Sequence, residues 1–539
     1  MLVANFQFGF LLLSRRRERS GIYRCGCSFE GHEVVWIYII CIGLCNREDL
    51  SGERYLGVGN NVGGLGIGIG RQVDEILIAW SGGRRGRDFG LYDFGLLRQS
   101  KHWDGEGKEK GCGESLEKHG AGEKLVRTAI LGSLGKCMNP KTSHPGGSPV
   151  EAARAMSHEE GFVFLDSALP SKNSLSLLAS KPDLVLRGRE WDALECELER
   201  RYHSKDGSGH PEGAAIGWVG YDGDFHFSFY ERLHIYSHAA KEWTVRPKKF
   251  QAHPLPGDFV APDFKPLLGK DEFLQMVAMA KEFIAAGDIY QVCLSHPFIA
   301  AAGVDPWAFY EMLRTHSPAP ESAFLNCGNL QIASASPESF LRISGRHIET
   351  RPIKGTRPRN PDESGDRLSS QELMTSEKEI AELVMITDLE RNDLGRVCRY
   401  GSVQVLELLK LERYEQVFHL ASTISGELRP DVSHVSALRE CFPGGSISGA
   451  PKKRAMEIIA ALEPHPRGIY TGAIGYFGFN GDSRFSIAIR TAFFEPNHCH
   501  FHVGAGIVAD SLAEMEWQET WHKAEGLLRS ARACAGPQR

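Results

Sequence analysis

The sequence lacks the features that mark several large classes of protein. None of its apolar runs approaches the roughly 20 residues that a helix needs to cross a bilayer, and the run from Val34 to Cys45 has only twelve. The 539 residues carry a formal net charge of -6, so there is no electrostatic reason to expect a nucleic-acid partner. We therefore expect a soluble, cytoplasmic protein that binds neither membranes nor nucleic acid.

Paired metal-binding or redox cysteines are also missing. The 13 cysteines include no C-x-x-C pair, and such scattered cysteines are typical of reduced, mostly buried thiols in the cytosol. No G-x-x-x-x-G-K-[ST] phosphate loop occurs in the glycine-rich run near residues 62–70. These absences exclude a zinc-finger module and a phosphate-loop nucleotidase.

The composition changes near residue 155. Of the 59 glycines, 28 lie in residues 1–155, and no sustained helical or alternating pattern runs through that segment. Its composition predicts a flexible or disordered leader. An over-extended gene start, with Met156 as the true first residue, is a second interpretation.

The rest of the chain mixes helix and strand patterns. Residues 271–287 place apolar side chains on one helix face, and Phe485 to Phe494 alternates as one strand that carries Arg490. Further strands are predicted at 214–221, 331–334, 472–479 and 500–504, and further helices at 372–388, 452–461 and 513–530. This mixture indicates an α+β fold.

Two of the predicted helices each carry a pair of glutamates three residues apart. The pairs are Glu379 with Glu382 and Glu516 with Glu519, and this spacing puts both carboxylates of a pair on one helix face. Four converging carboxylates would suit Mg2+, which prefers oxygen ligands. A single pair of this kind is more often a solvated helix face.

Four other segments carry residues that could take part in catalysis or in binding an anionic substrate. Lys354 lies between Pro-Ile and Gly, and burial would lower the pKa of its amine and make it a usable nucleophile. Glu338 offers a carboxyl that could protonate a leaving hydroxyl. The run Pro443–Lys452 leads into a helix whose first amides favour anions, and the amides of Gly504 and Gly506 could hold a carboxylate. Each segment alone is also compatible with an ordinary loop or strand.

Taken in order, these segments resemble the chorismate-utilising enzymes, which include anthranilate synthase component I, aminodeoxychorismate synthase component I, isochorismate synthase and salicylate synthase. The matching stretches are Ala286–Val292, Ser336–Glu338, Pro352–Thr356, Asp388–Gly395, Pro443–Lys452, Arg467–Gly472 and Gly504–Ser511. The likeness runs from about Gly161 to Arg532. It implies one large unit in which two antiparallel sheets form a central sandwich with helices outside. Residues 156–265 would form its N-terminal part, and residues 266–535 its chorismate-binding part.

The resemblance also implies roles for individual residues. Glu382 and Glu519 would bind Mg2+ directly, and Glu379 and Glu516 would bind it through water. Tyr470, Arg490 and the amides of Gly504 and Gly506 would hold the enolpyruvyl carboxylate of chorismate. His419 would lie near the substrate ring, and the remaining substrate-binding residues would be Ser446, Gly449 and Lys523. The segment Leu165-Asp166-Ser167 resembles the family's tryptophan-site segment, with Asp in place of the usual Glu.

Two positions separate the members of the family. Isochorismate and salicylate synthases carry lysine where this chain has Gln291, and an amide has no useful proton affinity near neutrality. Anthranilate synthases carry alanine where Lys354 stands, whereas aminodeoxychorismate synthases carry lysine. The resemblance therefore implies a magnesium-dependent synthase that makes 4-amino-4-deoxychorismate for folate synthesis, with Lys354, Glu338 and His419 as its catalytic residues.

Ammonia would come from glutamine through a separate amidotransferase, since residues 1–155 lack the Gly-x-Cys-x-Gly turn of such an enzyme. Two alternatives stay open at this point. One is anthranilate synthase component I, and the other is a non-catalytic protein that binds chorismate or tryptophan.

Overall fold

The computed structural model describes residues 147–169, 174–203, 210–245, 247, 260–414 and 417–534, together with five strands nearer the N-terminus. The rest of the leader predicted for residues 1–155 lies outside the described residues. The chain divides into two compact units, Met1–Leu131 and Gly132–Arg539.

The described part of the first unit consists of short antiparallel pairings. Its strands are β1 (Gly21–Ser28), β2 (Val34–Ile42), β3 (Val58–Asn61), β4 (Gly64–Ile67) and β5 (Glu75–Ser81). Strand β2 pairs with β1 and with β5, and β3 pairs with β4.

The second unit holds the helices and the remaining strands. Its helices are α1 (Pro149–Met156), α2 (Trp191–Arg201), α3 (Lys270–Ala285), α4 (Pro306–His316), α5 (Glu363–Thr375), α6 (Glu377–Val397), α7 (His434–Cys441), α8 (Lys452–Leu462) and α9 (Ala513–Cys534). Its strands are β6 (Val163–Asp166), β7 (Leu175–Ala179), β8 (Leu184–Gly188), β9 (Ala214–Val219), β10 (Phe225–Tyr230), β11 (His234–Ser237), β12 (Glu242–Val245), β13 (Lys265–Pro266), β14 (Gln291–Ala301), β15 (Glu321–Asn326), β16 (Gln331–Ser336), β17 (Ser339–Ser344), β18 (His347–Arg351), β19 (Ile353–Pro358), β20 (Gln404–Arg413), β21 (Val417–Glu427), β22 (Gly449–Ala450), β23 (Ala473–Gly478), β24 (Asp482–Ile487), β25 (Thr491–Phe494) and β26 (His498–Ile507).

Two antiparallel sheets form the centre of this unit. The ten-stranded sheet has the order β19-β21-β18-β17-β24-β23-β9-β10-β8, and β20 also pairs with β21. The eleven-stranded sheet has the order β12-β11-β7-β6-β15-β16-β25-β26-β14-β13, and β22 also pairs with β14. Apolar side chains from both sheets, such as Ile216, Ile332 and Ile474, share one core. The α+β sandwich is thereby confirmed.

Helices cover the outer faces of the sandwich. Trp307 and Tyr310 of α4 pack with residues of α1, α9 and the eleven-stranded sheet, and Phe273 of α3 packs with α8 on the same sheet. Leu194 of α2 and Leu394 of α6 pack with α7 on the ten-stranded sheet. Early and late strands interleave, because β6 pairs with β15 and β9 with β23, so residues 156–265 and the later residues form one unit.

Helix α1 begins before Met156. The Ser148 hydroxyl caps it by accepting a hydrogen bond from the Glu151 amide, and Ala152 lies in the core. Arg154 of α1 donates to the buried carboxylate of Glu311 in α4 (Nε to Oε1 2.7 Å). The packed unit therefore includes residues that the composition had assigned to the leader. The sequence did not predict this helix, because eight residues are too few to show a helical pattern.

The predicted helix at 372–388 is wrong in its bounds. Helix α5 ends at Thr375, and Ser376 then caps α6 by accepting a hydrogen bond from the Glu379 amide. Residues 375–379 include no glycine or proline to mark a break, so the sequence pattern joined the end of one helix to the beginning of the next.

The single strand predicted from Phe485 to Phe494 is also wrong. Strand β24 ends at Ile487 in the ten-stranded sheet, and β25 begins at Thr491 in the eleven-stranded sheet. Arg490 lies at the crossover with a φ of 50°, in the left-handed region. Residues 488–490 between the two strands include no glycine or proline, so the sequence pattern does not reveal the break.

Among the described residues, no helix is both long and apolar enough to cross a membrane. The cysteines in this part of the chain are free thiols, and most of them are buried.

Candidate active site

The four glutamates predicted to bind Mg2+ come together from α6 and α9. The ammonium of Lys378 lies 3.5 Å from Glu516 Oε1 and 3.9 Å from Glu382 Oε1, so the two helices bring their carboxylates to one place. Glu382 and Glu516 are buried, with relative exposures of 9% and 2%. Glu519 is bound by Lys523 (2.7 Å), one helical turn further along α9.

This carboxylate set fits a divalent cation chemically. Glu516 Oε1 accepts a hydrogen bond from Ser511 (2.7 Å), but its Oε2 is buried without a hydrogen-bond partner. An unpaired buried carboxylate oxygen is costly, and a cation would satisfy it. In the described residues, no three of these four glutamates place one carboxylate oxygen each within 4.8 Å of one another. The ammonium groups of Lys354 and Lys378 lie among the carboxylates.

Lys354, on β19, lies beside these carboxylates. Its Nζ is 3.5 Å from Glu382 Oε2. A Cβ on Gly506 would be 3.7 Å from the same Nζ and 2.4 Å from the Gln291 amide nitrogen, so Lys354 and Gln291 flank the glycine. The two positions that separate the family members therefore share one site.

The pKa of Lys354 is shifted in the direction opposite to the one expected from burial. Burial lowers the pKa of its amine, but the carboxylates of Glu382, Glu338 and Glu519 raise it by more, so the pKa lies above its usual value. The prediction of a depressed pKa is wrong for the chain alone, because it considered burial without the acidic neighbours.

Glu338 lies between β16 and β17 and is 6% exposed. Burial raises the pKa of its carboxyl, and Ser446 and Lys354 only partly oppose that shift. The carboxyl therefore holds its proton to higher pH than an exposed glutamate, which suits a proton donor. Ser446 has a buried hydroxyl without a hydrogen-bond partner of ordinary geometry.

Arg490 lies near both Glu338 and His419. The His419 Nδ1 is 3.0 Å from the hydroxyl of Thr356. Burial and then the charge of Arg490 lower the pKa of His419 to about 4, so its ring is neutral near pH 7. Burial also lowers the pKa of Arg490, and the charge of Glu338 opposes that shift.

Tyr470 and Lys523 both lie beside Gly504 of β26. A Cβ on Gly504 would lie 3.0 Å from the Tyr470 hydroxyl oxygen, and Lys523 donates to the Gly504 carbonyl oxygen (2.8 Å). Tyr470 is 4% exposed and its ring stacks on His502 at 5.2 Å between centroids. A phenol and an ammonium therefore converge on the glycine backbone of β26.

The glycine-rich run before α8 packs against β14. Gly449 has a φ of 148°, and a Cβ there would be 2.2 Å from the Gln291 carbonyl oxygen, so only glycine fits this close approach. Lys452 does not face the glycine backbone, because its amine binds Asp393 and the Pro443 carbonyl oxygen (2.7 Å). The Lys452 amine is therefore already paired within the protein.

Glu390 of α6 is a buried acid that none of the sequence motifs predicts. It accepts a hydrogen bond from Thr350 (2.7 Å). Burial and then the neighbouring charge of Glu338 raise its pKa to about 8, so the two carboxyls are electrostatically coupled. The signal was present in the sequence, because residues 379, 382, 390 and 393 of α6 are all acidic and share one helix face.

Arg467 is a second residue whose role the sequence motifs do not predict. It forms a buried ion pair with Glu463 (2.7 Å) and donates to the carbonyl oxygens of Cys293 (2.6 Å) and Ile447 (3.0 Å). Its guanidinium also lies 4.7 Å from the centre of the Tyr221 ring. Arg467 thus ties together β14, the glycine-rich turn and the segment that carries Tyr470.

The segment that resembles a tryptophan site lines a separate cavity. The cavity has a volume of about 250 Å³ and is lined by Leu165, Asp166 and Ser167, among others. The Asp166 carboxylate binds Arg314 (2.9 Å) and Tyr310 (3.1 Å). That carboxylate is already paired within the protein, and tryptophan binding there stays a prediction.

Comparison with known proteins identifies the family. The family model for chorismate binding enzymes matches residues 176–529. Over 290 residues the chain is 44% identical to anthranilate synthase component 1 of Thermus thermophilus, which covers 53% of this chain and 63% of that protein. It is also 44% identical over 274 residues to aminodeoxychorismate synthase component 1 of Bacillus subtilis, covering 51% of this chain and 57% of the relative.

A solved structure has the same fold. Anthranilate synthase component I from Streptococcus pneumoniae superposes with a TM-score of 0.59 at 32% identity, over 66% of this chain and 92% of that one. The Thermus relative and the Bacillus relative carry different product names but are equally similar in sequence, so sequence identity alone does not separate the two reactions. The chain belongs to the family of chorismate binding enzymes.

Proposed function

We propose that this enzyme converts chorismate and ammonia to 4-amino-4-deoxychorismate, for 4-aminobenzoate and folate synthesis. The observation that carries the proposal is the position of Lys354, whose amine lies beside Gln291 at Gly506 and 3.5 Å from Glu382. An amine at this point can form a covalent bond to the substrate ring, which the alanine of the anthranilate branch cannot do.

The proposed reaction uses the two buried groups in turn. The Lys354 amine forms a bond to C2 of chorismate as both ring double bonds shift and the C4–O bond breaks, and Glu338 gives its proton to the departing hydroxyl, which leaves as water. Ammonia then forms a bond to C4, both double bonds shift back, and Lys354 is expelled as the free amine. The new ammonium at C4 returns one proton to the Glu338 carboxylate. Chorismate and ammonia thus give aminodeoxychorismate and water. Holding the amine and the ring together makes the attack effectively intramolecular.

The metal is part of the same proposal. Mg2+ would be held by Glu382 and Glu519, with Glu379 and Glu516 beside them. When bound, it would supply positive charge for the ring carboxylate of the substrate and offset the glutamate charge that raises the pKa of Lys354.

The remaining site residues would position chorismate. Arg490, whose planar fork suits a carboxylate, and Tyr470 would hold the enolpyruvyl carboxylate together with the amides of Gly504 and Gly506. The neutral His419 ring would lie beside the substrate ring and leave Glu338 as the proton donor. Lys523, bound to the Gly504 carbonyl oxygen and to Glu519, would hold β26 and α9 together.

The ammonia source and the alternatives complete the proposal. Ammonia would be delivered from glutamine by a separate amidotransferase subunit.

Anthranilate synthase component I is the second candidate, because relatives of that name are as similar as the aminodeoxychorismate relative. A protein that only binds chorismate or tryptophan is disfavoured by the buried acid, amine and carboxylates gathered in one site.

The test is product identification. The purified chain, incubated with chorismate, Mg2+ and ammonium chloride, is expected to form aminodeoxychorismate, detected by chromatography with mass spectrometry. A second sample with an aminodeoxychorismate lyase added should form 4-aminobenzoate. Formation of anthranilate would support the second candidate, and no loss of chorismate would support the non-catalytic one.

A further inference from the structure

A histidine-rich hairpin lies at the end of β26 remote from the glycines of the active site. The turn from β25 to β26 is closed by a hydrogen bond from the Glu495 amide to the His498 carbonyl oxygen (2.9 Å). Glu495 Oε1 then lies 3.8 Å from His498 Nε2. His500 and Gly504 are four residues apart, or ~13 Å along an extended strand, so this group does not belong to the carboxylate site described above.

Strand alternation puts the two histidines on one face. His498 and His500 are two residues apart on β26, whereas Cys499 between them points into the core and is 1% exposed. The two imidazole rings stack at 5.5 Å between centroids with an interplanar angle of 22°. Phe493 of β25 packs on His500 at 5.2 Å between ring centroids, which restricts the orientation of that ring.

The ligand atoms of these three side chains converge. One atom from each of Glu495, His498 and His500 lies within 4.8 Å of the other two. His500 Nδ1 is buried without a hydrogen-bond partner, which is costly unless a further group satisfies it. Glu495 is exposed and His498 is half-buried, so an ion from solvent can reach the group.

We propose that Glu495, His498 and His500 form a binding site for a transition-metal cation of the zinc type. Two imidazole nitrogens and one carboxylate oxygen make a donor set that Zn2+ accepts, with its fourth position left to water. Mg2+ prefers oxygen ligands and is not expected to compete here. The site is independent of the product that the active site makes.

The test is zinc titration of the metal-stripped full-length chain by calorimetry, with Mg2+ at saturating concentration to occupy the carboxylate site. The variants are His498→Ala and Glu495→Gln, both at exposed or half-buried positions that should not disturb folding. His158→Ala, a change at an exposed histidine outside the hairpin, is the matched control. Thermal melting of each variant without zinc checks the fold.

The expected result is one zinc equivalent whose Kd rises at least tenfold in each hairpin variant and is unchanged in the control. With Co2+ as probe, the visible bands of a tetrahedral complex should appear in the parent and disappear in His498→Ala. Equal zinc affinity in the parent and in His498→Ala, or an equal loss in His158→Ala, would overturn the proposal. So would the absence of zinc binding to the parent.

Discussion

Replacing Arg467 by methionine should destabilise the fold strongly, because its guanidinium is buried and connects separate segments. The Arg467 side chain is 2% exposed and that of its partner Glu463 is 5% exposed. Methionine keeps much of the volume but leaves the Glu463 carboxylate without its cation. It also leaves the carbonyl oxygens of Cys293 and Ile447 without their donor.

The expected magnitude follows from these contacts. Breaking a buried ion pair by removing one partner costs about 3–5 kcal/mol, mostly because the other charge is left buried. Each unsatisfied carbonyl would add about 1 kcal/mol or more, although such terms are not additive. The Ser295 amide still donates to Glu463 (2.7 Å), which reduces the loss. We expect a total of about 4 kcal/mol for Arg467→Met.

A double-mutant cycle on the free energy of unfolding, measured by urea denaturation, tests this reasoning. Arg467→Met combined with Glu463→Gln should recover about 1–2 kcal/mol relative to the single variant, since no buried charge remains. Arg454→Met, at an exposed ion pair with Asp288, should leave stability nearly unchanged. A cost below about 1 kcal/mol for Arg467→Met, or no recovery in the double variant, would refute the proposed role of the pair.

Three further predictions concern the site itself. Glu338→Gln should lower kcat by about 10²–10⁴-fold with little change in KM, because an amide cannot give up a proton; an unchanged kcat would remove Glu338 as the acid. Glu390 is protonated in the folded enzyme up to about pH 8, so it binds more protons folded than unfolded and its contribution to stability is lost as pH rises from about 4.5 to about 8. Glu390→Gln should therefore flatten the fall of the melting temperature with pH in that window, whereas an unchanged profile would contradict the burial argument. Gly506→Ala should lower kcat/KM for chorismate at least tenfold by displacing the Gln291 amide, while Gly395→Ala, where a Cβ meets nothing within 4 Å, should have parent activity; equal activities would mean that Gly506 does not face the substrate.

The sequence was sufficient for the fold class and for most of the groups in the site. Ordered motifs such as Ser336–Glu338 and Pro352–Thr356 implied the sandwich, and the helical spacing of Glu379 with Glu382 survives the shift of α6 by several residues. Spacing within one helix or strand is a local property, so it can be read directly from the chain.

What the sequence could not supply depends on three-dimensional surroundings. The pKa of Lys354 rises because carboxylates from two distant helices lie near it, and that sum of charges has no local signal. The crossover at Arg490 separates two sheets without a glycine or proline to mark it in the sequence. The role of Arg467 also emerges only from partners on three segments.

The measurement that tests the central proposal most directly is product analysis of Lys354→Ala beside the parent enzyme. The proposal predicts that the parent forms aminodeoxychorismate from chorismate, ammonium and Mg2+, and that a covalent adduct on Lys354 is detectable by mass spectrometry of the rapidly quenched enzyme. It further predicts that Lys354→Ala loses this product and the adduct while still binding chorismate. Aminodeoxychorismate formation by Lys354→Ala at the parent rate, or anthranilate as the product of the parent, would contradict it.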